Sequence, residues 1–316
     1  MNILVFGCGA IGSAFGGFLS RTKHRITLYG RPWHLRAIAR SGLRVSGIWG
    51  KYNFKQFRLF SDLTRLRKAR IPFALVLFTV KSFDTKRACS DLRKVTTPNS
   101  VIVSLQNGLG NIEELLRHFD ASQVLAGRVI FGVEIAPGKI KITVTADDVR
   151  LGETSYRRLS PRVRSIAALF TQAGIKTKPT SDVRRYLWAK VLYNCALNPL
   201  ASLLGTHYGA LLENSYTRDL MKEIVRETYR VAGRQRIALV SKTHEGYIRL
   251  LFNKLIPATY HHHPSMLQDF ARGRSTEIDS LNNSIAQMGK KLGIATPTNQ
   301  FVTALVKAKE SCCSQD

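Results

Sequence analysis

The chain has 316 residues, 44% hydrophobic and 22% charged, enough to bury a core in one or two domains without disulfide or metal staples. That composition excludes collagen-like, disordered and disulfide-scaffold classes. Its 48 Lys and Arg against 21 Asp and Glu give a formal charge of +27, which favours anionic partners: nucleic acid, anionic lipid, a phosphorylated cofactor or a carboxylate substrate.

Apolar, β-branched runs at Asn2–Phe6, Arg25–Tyr29, 73–79 and 100–105 alternate with helical spacing at 11–19 and 34–41. Nearly continuous apolar strands between helices predict a parallel sheet covered on both faces, the doubly wound α/β class. Runs at 124–135, 140–145 and Val149–Glu153, broken by the turn signal Ala136-Pro137-Gly138, predict further strands that extend this sheet, partly antiparallel. A helix follows over 161–173 and a short strand near 175–178.

From about Leu187 the pattern changes. Segments 186–204, 210–236, 242–256, 265–272, 275–292 and 298–310 carry three-to-four residue apolar spacing without strand alternation, which predicts an all-helical second domain. Pro264, Gly273, Gly293 and Pro297 punctuate it. The boundary falls near 180–185, dividing the chain into an α/β domain of residues 1–183 and a helical domain of residues 184–316.

The basic surplus is spread through the chain. Residues 1–183 hold 30 basic and 11 acidic side chains, residues 184–316 hold 18 and 10, and the densest stretch, 51–94, holds twelve basic ones. These charges are not interleaved with aromatics on one element, so they read as a solvated basic surface rather than a nucleic-acid module. Five cysteines, Cys8, Cys89, Cys195, Cys312 and Cys313, show no metal-ligand spacing, and free thiols point to a reducing, cytoplasmic setting. Residues 3–19 are uncharged but glycine-broken and lack a preceding basic residue, so they fit neither a signal peptide nor a membrane span. No membrane association is expected.

Gly7-Cys8-Gly9-Ala10-Ile11-Gly12 follows the first strand and opens a helix. Gly7 suits a tight turn, Gly9 lets backbone approach a pyrophosphate, and Gly12 lets helix and strand pack closely, while the helix start offers amide donors. An NAD site usually ends the second strand in Asp or Glu; this chain has Tyr29-Gly30-Arg31, and no carboxylate occurs in residues 1–61. Arg31 can pair with a 2′-phosphate, so NADP(H) is expected. Lys81 and Asn107 follow the third and fourth strands, where the ligand crevice of a doubly wound sheet opens. Lys81 could contact ribose or substrate and Asn107 could bridge nicotinamide and substrate; on their own both read as turn residues.

In the second domain Lys190, Asn194 and Asn198 are spaced i, i+4, i+8 and share one helical face. Two asparagines among Leu, Val and Ala read either as a polar stripe facing a ligand, with Lys190 as general acid, or as the solvent side of an amphipathic helix. Asp269, Glu277 and Asp279 cluster later in the chain; an acid there could tune the lysine or orient a substrate hydroxyl, or simply cap and salt-bridge a helix. His261, His262 and His263 are consecutive, with no Cys or acid at ligand spacing, and read as a loop without metal.

Together these segments resemble the ketopantoate reductase (2-dehydropantoate 2-reductase) family. The resemblance rests on the G-x-G-x-x-G loop, the Arg after the second strand, V-K-S at 80–82 and S-L-Q-N-G at 104–108. It continues through W-x-K-x-x-x-N-x-x-x-N-P-L at 188–200 and S-M-x-Q-D with G-R-x-T-E-I-D across 265–279. It implies a Rossmann-type domain followed by an all-helical one, a 6-phosphogluconate dehydrogenase-like architecture. The implied activity is NADPH-dependent reduction of 2-dehydropantoate to pantoate, towards pantothenate and coenzyme A. By the family pattern Lys190 donates the proton and Glu277 hydrogen-bonds the developing hydroxyl. Ser265 holds the substrate carboxylate, Asn194 and Asn198 position substrate, and Asn107 lies between substrate and nicotinamide, with Lys81 near both. The cofactor loop is Gly7, Cys8, Gly9, Ala10, Ile11 and Gly12. The chain departs from the pattern at His263-Pro264 before Ser-Met, and at Asn283, where Gly often follows E-I-D-x-x-N.

Other readings are a related NADP-dependent reductase of another branched 2-oxo acid or an imine, and a non-enzymatic NADP-binding regulator whose basic surface engages nucleic acid. The Lys190/Asn194/Asn198/Glu277 set argues against the regulator, which needs no proton donor. Monomer and homodimer are equally consistent with the sequence.

Overall fold

A computed structural model of the chain describes residues 1–154 and 159–313. It divides into two compact units, one of residues 1–107 and 111–183, the other of residues 108–110 and 184 onwards. Residues 155–158 of the expected first domain and 314–316 of the second lie outside the described residues.

The first unit runs β1 (Asn2–Phe6), α1 (Ala10–Leu19), β2 (Arg25–Tyr29), α2 (Pro32–Ser41), β3 (Leu43–Gly47), β4 (Tyr52–Phe54), β5 (Arg58–Phe60), α3 (Leu63–Lys68) and β6 (Phe73–Phe78). It continues with α4 (Thr85–Leu92), β7 (Val101–Ser104), α5 (Asn111–Leu116), β8 (Val124–Arg128), β9 (Phe131–Ala136), β10 (Lys139–Thr145), β11 (Val149–Glu153), α6 (Pro161–Ala173) and β12 (Thr177–Pro179). Eight strands form one sheet in the order β12-β11-β8-β7-β6-β1-β2-β5. Strands β5, β2, β1, β6, β7 and β8 are parallel, and β11 returns antiparallel beside β8. Alternate side chains serve the two faces: Ile3 and Val5 pack with α1, α2 and α6, while Leu4 and Phe6 pack with α3, α4 and α5. Both faces are covered, as the continuous apolar strands require.

One expectation is corrected. Residues 124–135 are not one strand, and 140–145 does not extend the main sheet. The chain turns between β8 and β9, and β9 and β10 join β3 and β4 in a separate sheet of order β4-β3-β10-β9. The physical reason lies in α1, which is apolar all round and buried from Gly12 to Leu19, so its outer side needs a cover. The small sheet supplies it: Phe18 meets Trp49, Tyr52 and Phe54 at ring separations of 5.3, 5.3 and 5.7 Å, and Phe15 meets Phe131 at 6.0 Å.

In the second unit the described residues from 184 onwards form helices, turns and loops: α7 (Val183–Leu203), α8 (Tyr208–Glu213), α9 (Ser215–Arg234), α10 (His244–Leu250), α11 (Ile256–Ala258), α12 (Ser265–Phe270), α13 (Asn282–Lys291) and α14 (Pro297–Cys313). Helix α7 is central, burying Val191, Leu192, Cys195, Ala196, Leu197, Leu200 and Ala201 in a core with α9, α13 and α14. Three expected helices are interrupted. Segment 210–236 breaks at Asn214, whose extended backbone ends α8 and whose Oδ1 accepts from the Tyr216 and Thr217 amides to start α9. Segment 242–256 passes through a π-type turn at Leu251–Leu255. In 275–292 the helix begins only at Asn282, after a 3₁₀ turn at Ile278–Ser280, because Leu109 N takes the Ser280 carbonyl at 2.8 Å. Helix α14 reaches Cys313, so Cys312 lies in its last turn.

Candidate active site

In the first unit the glycine loop lies where the strand order reverses, at the carboxyl ends of β1 and β6, the place doubly wound sheets use for ligands. Its glycines meet different demands. Gly7 has φ +106°, and a Cβ there would lie 2.6 Å from Val80 N. A Cβ at Gly12 would lie 2.5 Å from the Gly7 carbonyl. At Gly9 the nearest atom to such a Cβ would be 3.9 Å away, and the residue is exposed. The fold therefore demands Gly7 and Gly12, whereas Gly9 keeps a bare space that a side chain would fill. A dinucleotide pyrophosphate fits that space. Ala10, Ile11 and Gly12 open α1, where no preceding carbonyl of the helix reaches their amides.

The loop is clamped from both sides. The Gly7 and Cys8 amides donate to the Tyr29 carbonyl at 3.0 and 2.8 Å, and Thr79 Oγ1 donates to the Gly7 carbonyl at 2.8 Å. Beneath the loop, Cys8 Sγ lies 3.3 Å from Ser13 Oγ, and Ser13 Oγ lies 2.9 Å from Nε2 of the fully buried His34. His34 Nδ1 accepts from the Gly138 amide at 3.2 Å, so the ring ties Ser13 beneath the loop to the turn between β9 and β10. Burial lowers the His34 pKa and pushes the Cys8 thiol up to about 12, so Cys8 is a packing thiol rather than a nucleophile. Arg31 is exposed at the end of β2, and its backbone starts α2 with Pro32 in the first turn.

Lys81 is half-buried and starts the 3₁₀ turn Ser82–Asp84. The half-buried Asn107 is held by a chain that sequence reasoning missed. Gln106 Nε2 donates to Thr85 Oγ1 at 2.7 Å, Thr85 donates to Asn111 Oδ1 at 2.8 Å, and Asn111 Nδ2 donates to the Asn107 carbonyl at 2.8 Å. Only Gln106, inside the S-L-Q-N-G motif, carried a signal.

In the second unit Lys190 is half-buried, while Asn194 and Asn198 are 8% and 7% exposed, which rules out a solvent-facing stripe. Tyr208 donates its hydroxyl to Asn198 Oδ1, so the amide's Nδ2 is the end Tyr208 does not engage. Burial raises the Tyr208 pKa well above the ordinary phenol value, keeping it a donor. Glu277 is buried immediately before the 3₁₀ turn, and its carbonyl accepts from Ser280 N and Oγ at 3.1 and 3.0 Å. A Cβ at Gly108 would lie 2.4 Å from Ser280 Oγ, so the last residue of S-L-Q-N-G packs against the turn that follows Glu277. Ser265 is exposed at the start of α12.

The histidine run has a structural role. The carbonyls of His262 and Tyr260 accept from the Tyr208 and Gly209 amides at 3.1 and 2.9 Å, and Ala210 N donates to His207 Nδ1 at 3.3 Å. Together they meet the first-turn amides of α8. Of the two departures, Asn283 donates to Asp279 Oδ1 at 2.8 Å, and His263 is exposed. Among the described residues no helix is long and apolar enough to cross a membrane, and Cys8, Cys89, Cys195 and Cys312 are free thiols.

Comparison with known proteins covers both units. Residues 3–156 match the family model described as Ketopantoate reductase PanE/ApbA, and residues 182–310 match its C-terminal model. The chain is 39% identical over 313 residues to the 2-dehydropantoate 2-reductase of Aquifex aeolicus, covering 98% of this chain and 97% of that one. A PanE/ApbA family ketopantoate reductase structure from Ralstonia eutropha matches with a TM-score of 0.88 at 30% identity, over 99% of each chain. D-mandelate dehydrogenase, solved with NADH and anilino(oxo)acetate, matches with a TM-score of 0.87 over 99% of each chain, but at 24% identity that likeness speaks to the fold alone. On these matches, and with the glycine loop and the buried asparagine face in place, the chain belongs to the ketopantoate reductase family.

Proposed function

We propose that the protein reduces 2-dehydropantoate to pantoate with NADPH, a step towards pantothenate and coenzyme A. The observation that carries this reading is the family match along both units. Bound NADPH supplies the hydride that reaches the carbonyl carbon of the 2-oxo acid.

The chain's own residues do the rest. The loop from Gly7 to Gly12, Cys8 included, holds the pyrophosphate on the Ala10, Ile11 and Gly12 amides at the positive end of α1, with Gly9 leaving room for it. Arg31 pairs with the 2′-phosphate, unopposed by any carboxylate in residues 1–61. Lys81 contacts the cofactor, and Asn107 orients substrate against the nicotinamide. Lys190 gives its proton to the carbonyl oxygen as negative charge builds there, so the product leaves as an alcohol. Glu277 accepts a hydrogen bond from that developing hydroxyl. Asn194 and Asn198 position the substrate, Asn198 with the Nδ2 that Tyr208 leaves unengaged, and Ser265 donates to the carboxylate. Both anions are drawn by the positive field of the chain. Buried free thiols fit the reducing cytoplasm where such an enzyme works.

The test is NADPH oxidation by purified protein with 2-dehydropantoate and a panel of other 2-oxo acids. Turnover of 2-dehydropantoate is expected. No turnover of any 2-oxo acid overturns the reading, and turnover of another acid alone moves the substrate. Lys190→Ala is expected to lower kcat by about 10²–10⁴-fold while NADPH still binds, as for loss of a positioned general acid.

A further inference from the structure

Pro199 lies inside α7 and has no amide hydrogen, so the carbonyl four residues earlier, that of Cys195, loses its helical donor. The gap is filled from outside the helix: Asn282 Nδ2 donates to the Cys195 carbonyl at 3.1 Å. Asn282 is fully buried at the start of α13, in the same segment as Glu277. Its Nδ2 also donates to Asn299 Oδ1 at 3.0 Å, and Asn299 Nδ2 donates to Glu227 Oε2 at 2.7 Å. The buried Glu227 carboxylate further accepts the amides of Thr298 and Asn299 at 2.8 and 3.0 Å, at the start of α14.

This chain of bonds has one consistent direction. The Glu227 carboxylate accepts, so Asn299 turns its NH₂ to it and its oxygen to Asn282, and Asn282 must donate both ways. The carbonyl opened by Pro199 lies between Asn194 and Asn198 on α7. We infer that Asn282 is a positioning residue, tying the segment that bears Glu277 to the stretch of α7 that bears Lys190, Asn194 and Asn198. The inference rests on the proposed reading of those four residues as the reaction's machinery. A buried carbonyl must find a donor, so this bond holds the two elements in one register.

The test is a double-mutant cycle with Asn282→Ala and Pro199→Ala, read as kcat and KM for 2-dehydropantoate, NADPH affinity and melting temperature. Asn282→Ala should lower kcat about ten- to a hundredfold through misplacement of reacting groups, with NADPH affinity unchanged. Pro199→Ala returns an amide to the Cys195 carbonyl, so in that background the further loss from Asn282→Ala should shrink to under about threefold. Equal losses in both backgrounds, or a lower melting temperature with kcat per folded enzyme unchanged, would overturn the positioning role. Should Asn282→Ala alone fail to fold, the double variant decides: recovered folding supports the role, and continued failure counts against it. A wild-type protein that reduces no 2-oxo acid refutes the functional reading instead.

Discussion

The glycine loop of the first unit and the α7–α13 junction of the second solve the same problem by opposite means. Around Gly7–Gly12 the backbone sets the geometry and side chains are excluded: two glycines are demanded by crowding and one stands open. Around Pro199 the backbone is deliberately incomplete, and a buried amide from a distant helix finishes it. The difference predicts how each region fails. Adding atoms damages the first, whereas removing donors damages the second.

The glycine loop offers the largest contrast. Gly12→Ala forces a Cβ to 2.5 Å from the Gly7 carbonyl and should cost about 1–3 kcal/mol of stability, as overpacking does. Gly9→Ala, with 3.9 Å of clearance, should shift stability by no more than about 0.5 kcal/mol yet weaken NADPH binding about tenfold or more. Thermal melts beside cofactor titrations check the pair; equal stability losses would erase the distinction between demanded and open glycines. Next in size is Arg31→Asp. Loss of a charge-assisted pair with a 2′-phosphate should weaken NADPH about ten- to a hundredfold and NADH far less, measured by titrating each cofactor. Equal losses would remove Arg31 from the cofactor argument.

The smallest expected effect concerns His34. Its folded pKa lies below the ordinary 6.5 because it is buried, so the unfolded chain takes up the proton first as pH falls. The stability contributed by neutral His34 is complete above 6.5 and is lost as pH drops towards the lowered folded value. His34→Gln, which keeps a donor and an acceptor for Ser13 and Gly138, should flatten the fall in melting temperature below pH 6.5. An unchanged pH profile would mean that other groups carry that slope, His24 and His262 being lowered in the same direction.

Much of the candidate site was legible because its signals are local. Glycine spacing after an apolar strand, an arginine where a carboxylate usually stands, and i, i+4, i+8 polar residues in an apolar helix are all properties of short windows. The helix-interior Pro199 orphans the Cys195 carbonyl, which is evident only once α7 is seen to run through it. Nothing near it in the sequence named the donor, because Asn282 lies 87 residues away. Likewise nothing near the apolar α1 in the sequence named the strands that cover it, β9 and β10 among them.

Periodicity and residue type, which act within a few residues, were enough for the doubly wound strand–helix alternation, the helical second half and the candidate residues. Folding in three dimensions made the choices that depend on distant atoms. It sent β9 and β10 to a second sheet over Phe18, buried Asn194 and Asn198 rather than exposing them, and broke the helix before Asn282. A polar group or apolar face states its need locally, but the partner that satisfies it is selected by packing across the whole chain.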